Sequence, residues 1–153
     1  MQLAVKEVKI KGFVRGCLVN KKTGEVQMGK WYENAVTADG FQNYICGPIG
    51  AIAGSKTITH LQVATQTTAP SSSQNSASGE FEARKTTSNT FSANGTLQCT
   101  ASFATNEATQ STLGGVALYN TSSGGTCASV ATFATSNKTT DQTLNVTYQW
   151  RFS

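Results

Sequence analysis

The fold of the protein is decided by residues 91–103, which read FSANGTLQCTASF. Asn94-Gly95 is the strongest short signal for a β-hairpin, because a type I′ turn requires positive φ at both central positions. After the turn, alternate residues up to Phe103 are apolar, and this period of two indicates a strand with one buried face. The same alternation covers residues 144–150, whose apolar members are Leu144, Val146, Tyr148 and Trp150. Both stretches therefore predict antiparallel strands that border a core.

Composition extends this prediction to the whole chain. Only 13% of the 153 residues are charged, against about 25% in an ordinary soluble domain. Two Trp, four Tyr, seven Phe and only two Pro argue against disorder. About eight strands separated by frequent turns predict one all-β domain over residues 1–153, an antiparallel β-sandwich or a jelly-roll-like barrel.

Three segments have their own predicted organisation. Residues 1–36 read as a basic N-terminal hairpin or arm that turns at residues 21–24. A short helix is predicted near residues 38–46, capped by Thr37 or Asp39 and ended by Gly47-Pro48. Residues 66–79 form a Ser/Thr-rich loop without a hydrophobic anchor, and a loop of this length is expected to be mobile or engaged by a partner. Gly114-Gly115 and Gly124-Gly125 are predicted turns.

The net charge of +4 arises in the first 33 residues, while the remaining residues balance to about zero. Lysines on exposed strands protect a sheet edge from pairing, or they form a surface for an acidic partner. Aromatic side chains are the usual interface anchors, although Trp31 and Trp150 could equally fill the core. The candidate partner-binding residues are Lys6, Lys9, Lys11, Arg15, Lys21, Lys22, Trp31, Tyr32 and Phe152. No Arg cluster or helix-turn-helix pattern favours nucleic acid.

Catalytic and metal-binding patterns are missing from the sequence. Cys17, Cys46, Cys99 and Cys127 lie far apart without a CxxC pair, and His60 is the single histidine. We therefore expect no metal, no cofactor and no enzymatic activity. The sequence does not decide whether the cysteines form disulfides, although a chain without an export signal favours free thiols. No signal peptide or apolar run of about 18 residues is present, so we expect synthesis in the cytoplasm and no membrane partner.

A series of short motifs resembles a known group of proteins. The motifs are WYENAV (31–36), DGF (39–41), ITHLQVATQTTAP (58–70), GEFEAR (79–84), LGGVALYN (113–120) and GGT (124–126). This series resembles the small virion structural proteins of tailed bacteriophages over about residues 31–153. The glycine-rich turn of those proteins corresponds here to residues 64–67, which contain no glycine.

The resemblance implies an assembly function. It implies a capsid decoration or cement protein that forms a homo-oligomer, a dimer or trimer, and docks on a major capsid protein or another virion protein. A tail-tip or fibre component is the alternative within the same class. A receptor- or carbohydrate-binding β-sandwich is a second alternative, and a subunit that polymerises by donating its N-terminal strand is a third.

Overall fold

The computed structural model describes residues 9–153, and ten β-strands run through this part of the chain. Their bounds are β1 Ile10–Asn20, β2 Val26–Met28, β3 Tyr32–Val36, β4 His60–Ala64, β5 Glu80–Thr86, β6 Ser88–Ala93, β7 Thr96–Phe103, β8 Gln110–Tyr119, β9 Cys127–Lys138 and β10 Gln142–Phe152. Neighbouring strands pair antiparallel throughout. One helical segment, α1, covers residues 38–49. The prediction of an antiparallel all-β fold with one short helix is confirmed.

The strands form one curled sheet in the order β5-β4-β8-β9-β3-β1-β10-β7-β6, and β2 pairs with β1 beside this path. β3 joins the two halves of the sheet. Its residues 32–34 pair with β1, and its residues Ala35 and Val36 pair with β9. β1 lies inside the sheet and pairs over its full length with β10. β5 and β6 end this path, and β2, which within residues 9–153 pairs with β1 alone, is a third strand with a free side.

The inner faces of both halves meet in one hydrophobic core. The predicted alternation of β7 and β10 is confirmed, because Phe103 and Tyr148 are fully buried and Leu144, Val146 and Trp150 are nearly so. The other half contributes buried side chains of β4, β8 and β9 to the same cluster, among them Leu61, Val63, Leu113, Leu118 and Ala131. Burial of each large apolar side chain stabilises the fold by about 1.5–3 kcal/mol.

α1 is an irregular helix that continues past the predicted stop. It begins as the α-helix Ala38–Gly40, widens into the π-helix Phe41–Cys46 and ends as the α-helical turn Gly47–Ile49. Thr37 caps it as predicted, since its Oγ1 accepts from the Gly40 N–H at 2.9 Å. The prediction that Gly47-Pro48 ends the helix is wrong. Pro48 stands at the start of the last turn, where its missing N–H costs little, and the preceding wide turns accommodate its ring.

Two glycine predictions need correction. The Asn94-Gly95 hairpin joins β6 to β7, but Gly95 has φ +69° and Asn94 is not at positive φ, so the turn is not type I′. Gly124-Gly125 is a turn as predicted, with both residues at positive φ. Gly114-Gly115 instead lies inside β8, where a Cβ on Gly114 would stand 2.8 Å from the Gln66 carbonyl oxygen. Gly114 and Gly115 have no side chain and so leave room for the backbone of Gln66, and the chain does not turn there.

The loop 66–79 is held by a buried amide. Gln66 is 5% exposed and forms reciprocal amide hydrogen bonds with Gln74, at 2.5 and 3.3 Å. Its Oε1 also accepts from the Ser78 N–H at 2.8 Å. Ala77 is buried, so the loop does have an apolar anchor. The loop is thereby fixed within the chain itself, because these contacts satisfy its backbone groups.

Candidate binding surfaces

The predicted partner-binding residues do not form a single surface. Lys6 lies outside the described residues. Lys9, Lys11, Arg15 and Trp31 are on the outer face of the sheet, whereas Lys21 and Lys22 are in the turn at the opposite end of β1. Tyr32 and Phe152 are on the inner side, in two different depressions. The sequence could not separate these residues because the separation depends on strand register.

Outer residues of β1 and β10, together with the residues that directly precede β1 and β3, form what we call the basic face. It consists of Lys9, Lys11, Phe13, Arg15, Trp31 and Arg151. β1 residues alternate, so Val14 and Leu18 point into the core and the odd residues point outward. Arg151 joins the group because the β1–β10 register places it opposite Lys11. The carboxylate on this face is Glu33, whose Oε1 lies 3.1 Å from Lys11 Nζ. Among residues 9–153, four cations against one carboxylate leave the basic face positive.

Aromatic rings hold the two arginines of the basic face. The Arg15 and Arg151 guanidinium carbons lie 4.6 and 5.2 Å from the centre of the Trp31 ring. Arg151 also lies 4.0 Å from the Phe13 ring centre, and its Nε donates to Gln149 Oε1 at 3.0 Å. Stacking orients a guanidinium and leaves its edge N–H groups available for a carboxylate or phosphate. The arrangement therefore suits a preorganised anion-binding surface.

Residues of the N-terminal hairpin outside the basic face have local partners. Lys22 Nζ lies 2.7 Å from Asp141 Oδ1, with side chains 74% and 39% exposed. Tyr32 packs against the core and carries Lys30 over its ring at 5.3 Å. Tyr32 also lines a cavity of about 190 Å³ with Leu18, Met28 and other apolar groups.

A second surface, which we call the apolar groove, lies between α1 and the strands β6, β7 and β10. It has a volume of about 390 Å³. Its lining is formed by Tyr44, Ile45, Pro48, Ile49, Lys56, Thr57, Ile58, Asn89, Phe91, Leu97, Trp150 and Phe152. Ile49 and Phe91 are 84% and 85% exposed, so the groove has projecting apolar rims. Phe152 belongs here and not to the basic face. The sequence analysis did not identify Phe91 and Ile49 as candidate binding residues. The spacing of apolar residues does not show whether a side chain lies at the rim of a groove or in the core.

A buried polar cluster lies under the edge strand β5. The Arg84 guanidinium lies 3.4 Å from the Tyr119 ring centre, and its Nη1 donates to the carbonyls of Thr121 at 3.1 Å and Gly124 at 2.6 Å. Arg84 Nη2 lies 3.8 Å from Glu80 Oε2, and the Tyr119 hydroxyl donates to Glu80 Oε1. Burial and that hydrogen bond raise the pKa of Tyr119. These contacts tie β5 to β8 and to the turn after it.

The remaining titratable groups serve the fold. All four cysteines lie within residues 9–153 and are free, with Cys46 exposed and Cys99 and Cys127 buried. Burial raises the pKa of Cys99 to about 12 and that of Cys127 to about 11. The buried Lys138 donates from Nζ to the Ala104 and Thr105 carbonyls at 3.0 and 3.2 Å, and desolvation lowers its pKa.

The described residues contain neither a candidate metal site nor a helix that could span a membrane. Residues 9–153 contain no group of three or more His, Cys, Asp or Glu side chains that could hold a metal ion. No helix in the same range is long and apolar enough to cross a membrane. Comparisons with protein-family models, with curated proteins and with solved structures find no match for the chain.

Proposed function

We propose that the protein is a non-enzymatic virion structural protein of a tailed phage, a capsid decoration protein that binds the shell through its basic face. The observation that carries this proposal is the arrangement of Arg15 and Arg151 on one Trp31 ring beside Lys11. The proposal includes the fold subtype. Two half-sheets around one core are the arrangement expected of a β-sandwich or jelly roll, which is common among capsid domains.

The basic face suits a protein partner with surface carboxylates. Its cations stand on paired interior strands, so they are held by the sheet rather than by loops. A rigid positive surface steers an acidic partner into register and adds to the association rate more than to affinity. Each arginine can also grip a carboxylate with two N–H groups. A shell with acidic patches that repeat at each capsomer fits these properties.

The first test is the copy number of the chain in purified particles, measured by quantitative mass spectrometry against the most abundant shell protein. Hundreds of copies in a simple ratio to the shell are expected. A handful of copies would instead indicate a tail-tip or fibre component. Absence from the particles would refute the virion proposal, and a glycan array would then test the carbohydrate-binding alternative.

The second test concerns the basic face itself. We expect Arg15→Glu to abolish co-sedimentation with particles that lack the protein, because it reverses the charge of the arginine nearest the centre of the Trp31 ring. Lys21→Glu is the matched control, since it makes the same charge change in the distant β1–β2 turn. Equal loss of binding in both variants would mean that only net charge matters, and the basic face would not be the docking surface.

A further inference from the structure

The edge strand β6 combines exposure with a lack of charge. It is the last strand of the sheet, and all six of its residues, SNTFSA, are exposed. An edge strand presents backbone N–H and C=O groups that can pair with another chain, and proteins usually protect it with lysine, proline or a covering element. β6 contains no charged residue and no proline.

The apolar groove lies directly beside this edge. Phe91 projects from β6 at one rim, and Ile49 projects from α1 at the other. Trp150 lines the groove, is 2% exposed and has an indole N–H without a hydrogen-bond partner in residues 9–153. A buried indole N–H normally finds an acceptor.

We propose that a second copy of this chain covers β6 and the apolar groove in a two-fold symmetric dimer. In this arrangement β6 pairs antiparallel with the partner's β6, and each Phe91 enters the groove of the other copy. A symmetric interface needs a surface complementary to itself, and a projecting ring beside a groove meets that need.

Charge favours a second copy on this surface. The chain carries a net charge of +4, so two copies repel each other wherever their basic residues meet. The apolar groove contains a single charged residue, Lys56, and β6 contains none. This surface therefore allows two copies to approach closely without bringing like charges together.

The available area indicates a dimer of moderate affinity. Phe91, Ile49 and Phe152 expose about 400 Å² of side-chain surface, estimated from about 150–250 Å² for a fully exposed aromatic side chain. The six residues of β6 form a strip about 20 Å long, which adds about 200 Å². A total of about 600 Å² per copy is at the low end of specific interfaces, the size class in which transient complexes are common.

This inference rests on the proposed function and names an interface for the homo-oligomer that the resemblance implies. Its test needs only the purified protein. Sedimentation equilibrium between about 1 and 300 μM should show a monomer–dimer equilibrium. We expect Phe91→Lys to raise the dimer dissociation constant at least about 100-fold, because each symmetric interface loses two anchors. Val26→Lys is the matched control, since Val26 is also an exposed strand residue, at 57%, and the change adds the same charge.

Hydrogen exchange identifies what covers the edge. Amides of residues 88–93 should become protected as the protein concentration rises, and Phe91→Lys should remove that protection. Protection that does not depend on concentration would mean that the chain covers its own groove, and the proposal would be wrong. A wild-type protein that stays monomeric, or equal weakening by Val26→Lys, would also overturn it. Particle binding through the basic face is scored separately, so either proposal can fail alone.

Discussion

Replacement of Arg84 by methionine is expected to destabilise the protein by about 3 kcal/mol, whereas Lys22→Met should change stability by less than about 0.5 kcal/mol. By distance alone, the Lys22–Asp141 ion pair would be the stronger of the two. Lys22 Nζ is 2.7 Å from Asp141, and Arg84 Nη2 is 3.8 Å from Glu80. Burial reverses this order, because the Arg84 side chain is 9% exposed and that of Lys22 is 74% exposed.

The magnitude for Arg84 comes from its contacts. Nη1 donates to two carbonyls, and a hydrogen bond from a charged donor contributes about 1.5–3 kcal/mol. Stacking on Tyr119 adds about 0.5–2 kcal/mol. Methionine retains contact with the Tyr119 ring but makes neither hydrogen bond, so the expected loss is about 3 kcal/mol, the low end for two such bonds.

Urea denaturation, followed by fluorescence of the buried Trp150, measures both variants against the wild type. An unchanged slope of the unfolding free energy against urea concentration would show that the unfolded states of the variants are comparable. If Lys22→Met destabilised the protein as much as Arg84→Met, proximity rather than burial would govern these pairs. The conclusion that the buried contacts of Arg84 stabilise the attachment of β5 would then be refuted.

Three further predictions concern the fold. The free energy of unfolding should fall as pH rises above about 9, by about 1.4 kcal/mol per pH unit for Cys99. The Cys99 thiol ionises first in the unfolded state, because its pKa in the native state is about 12. Cys99→Ala should flatten this part of the pH profile, and an unchanged slope would contradict the prediction. Gln66→Ala should raise the rate of limited proteolysis in residues 67–78 about tenfold, because the loop loses its amide contacts; a cleavage rate equal to that of the wild type would show that Gln66 does not hold the loop. Gly40→Ala should cost about 2 kcal/mol or more in thermal unfolding, despite the better helix propensity of alanine, because its Cβ would stand 1.9 Å from the Ala128 carbonyl oxygen; a stabilised variant would refute that close approach.

Local patterns predicted the strands better than they predicted the surfaces. The alternation in β7 and β10 indicates burial directly, since period two sorts side chains between two faces. The basic face depends on the β1–β10 register, and Arg151 meets Lys11 only because residues 140 positions apart in sequence pair directly. Thr87 alone separates β5 from β6, yet the two strands lie at opposite ends of the sheet. Such a separation depends on tertiary packing and has no local signal.

The long pairing between β1 and β10 sets the order in which the protein can fold. β1 is made first, and the strand that covers its whole length is made last. During translation the strands before β10 can collapse, but β1 has no full-length partner until β10 has left the ribosome. Contacts at such sequence separation form slowly. Nascent chains therefore expose the open side of β1 longest, and chaperone demand should be greatest just before β10 emerges.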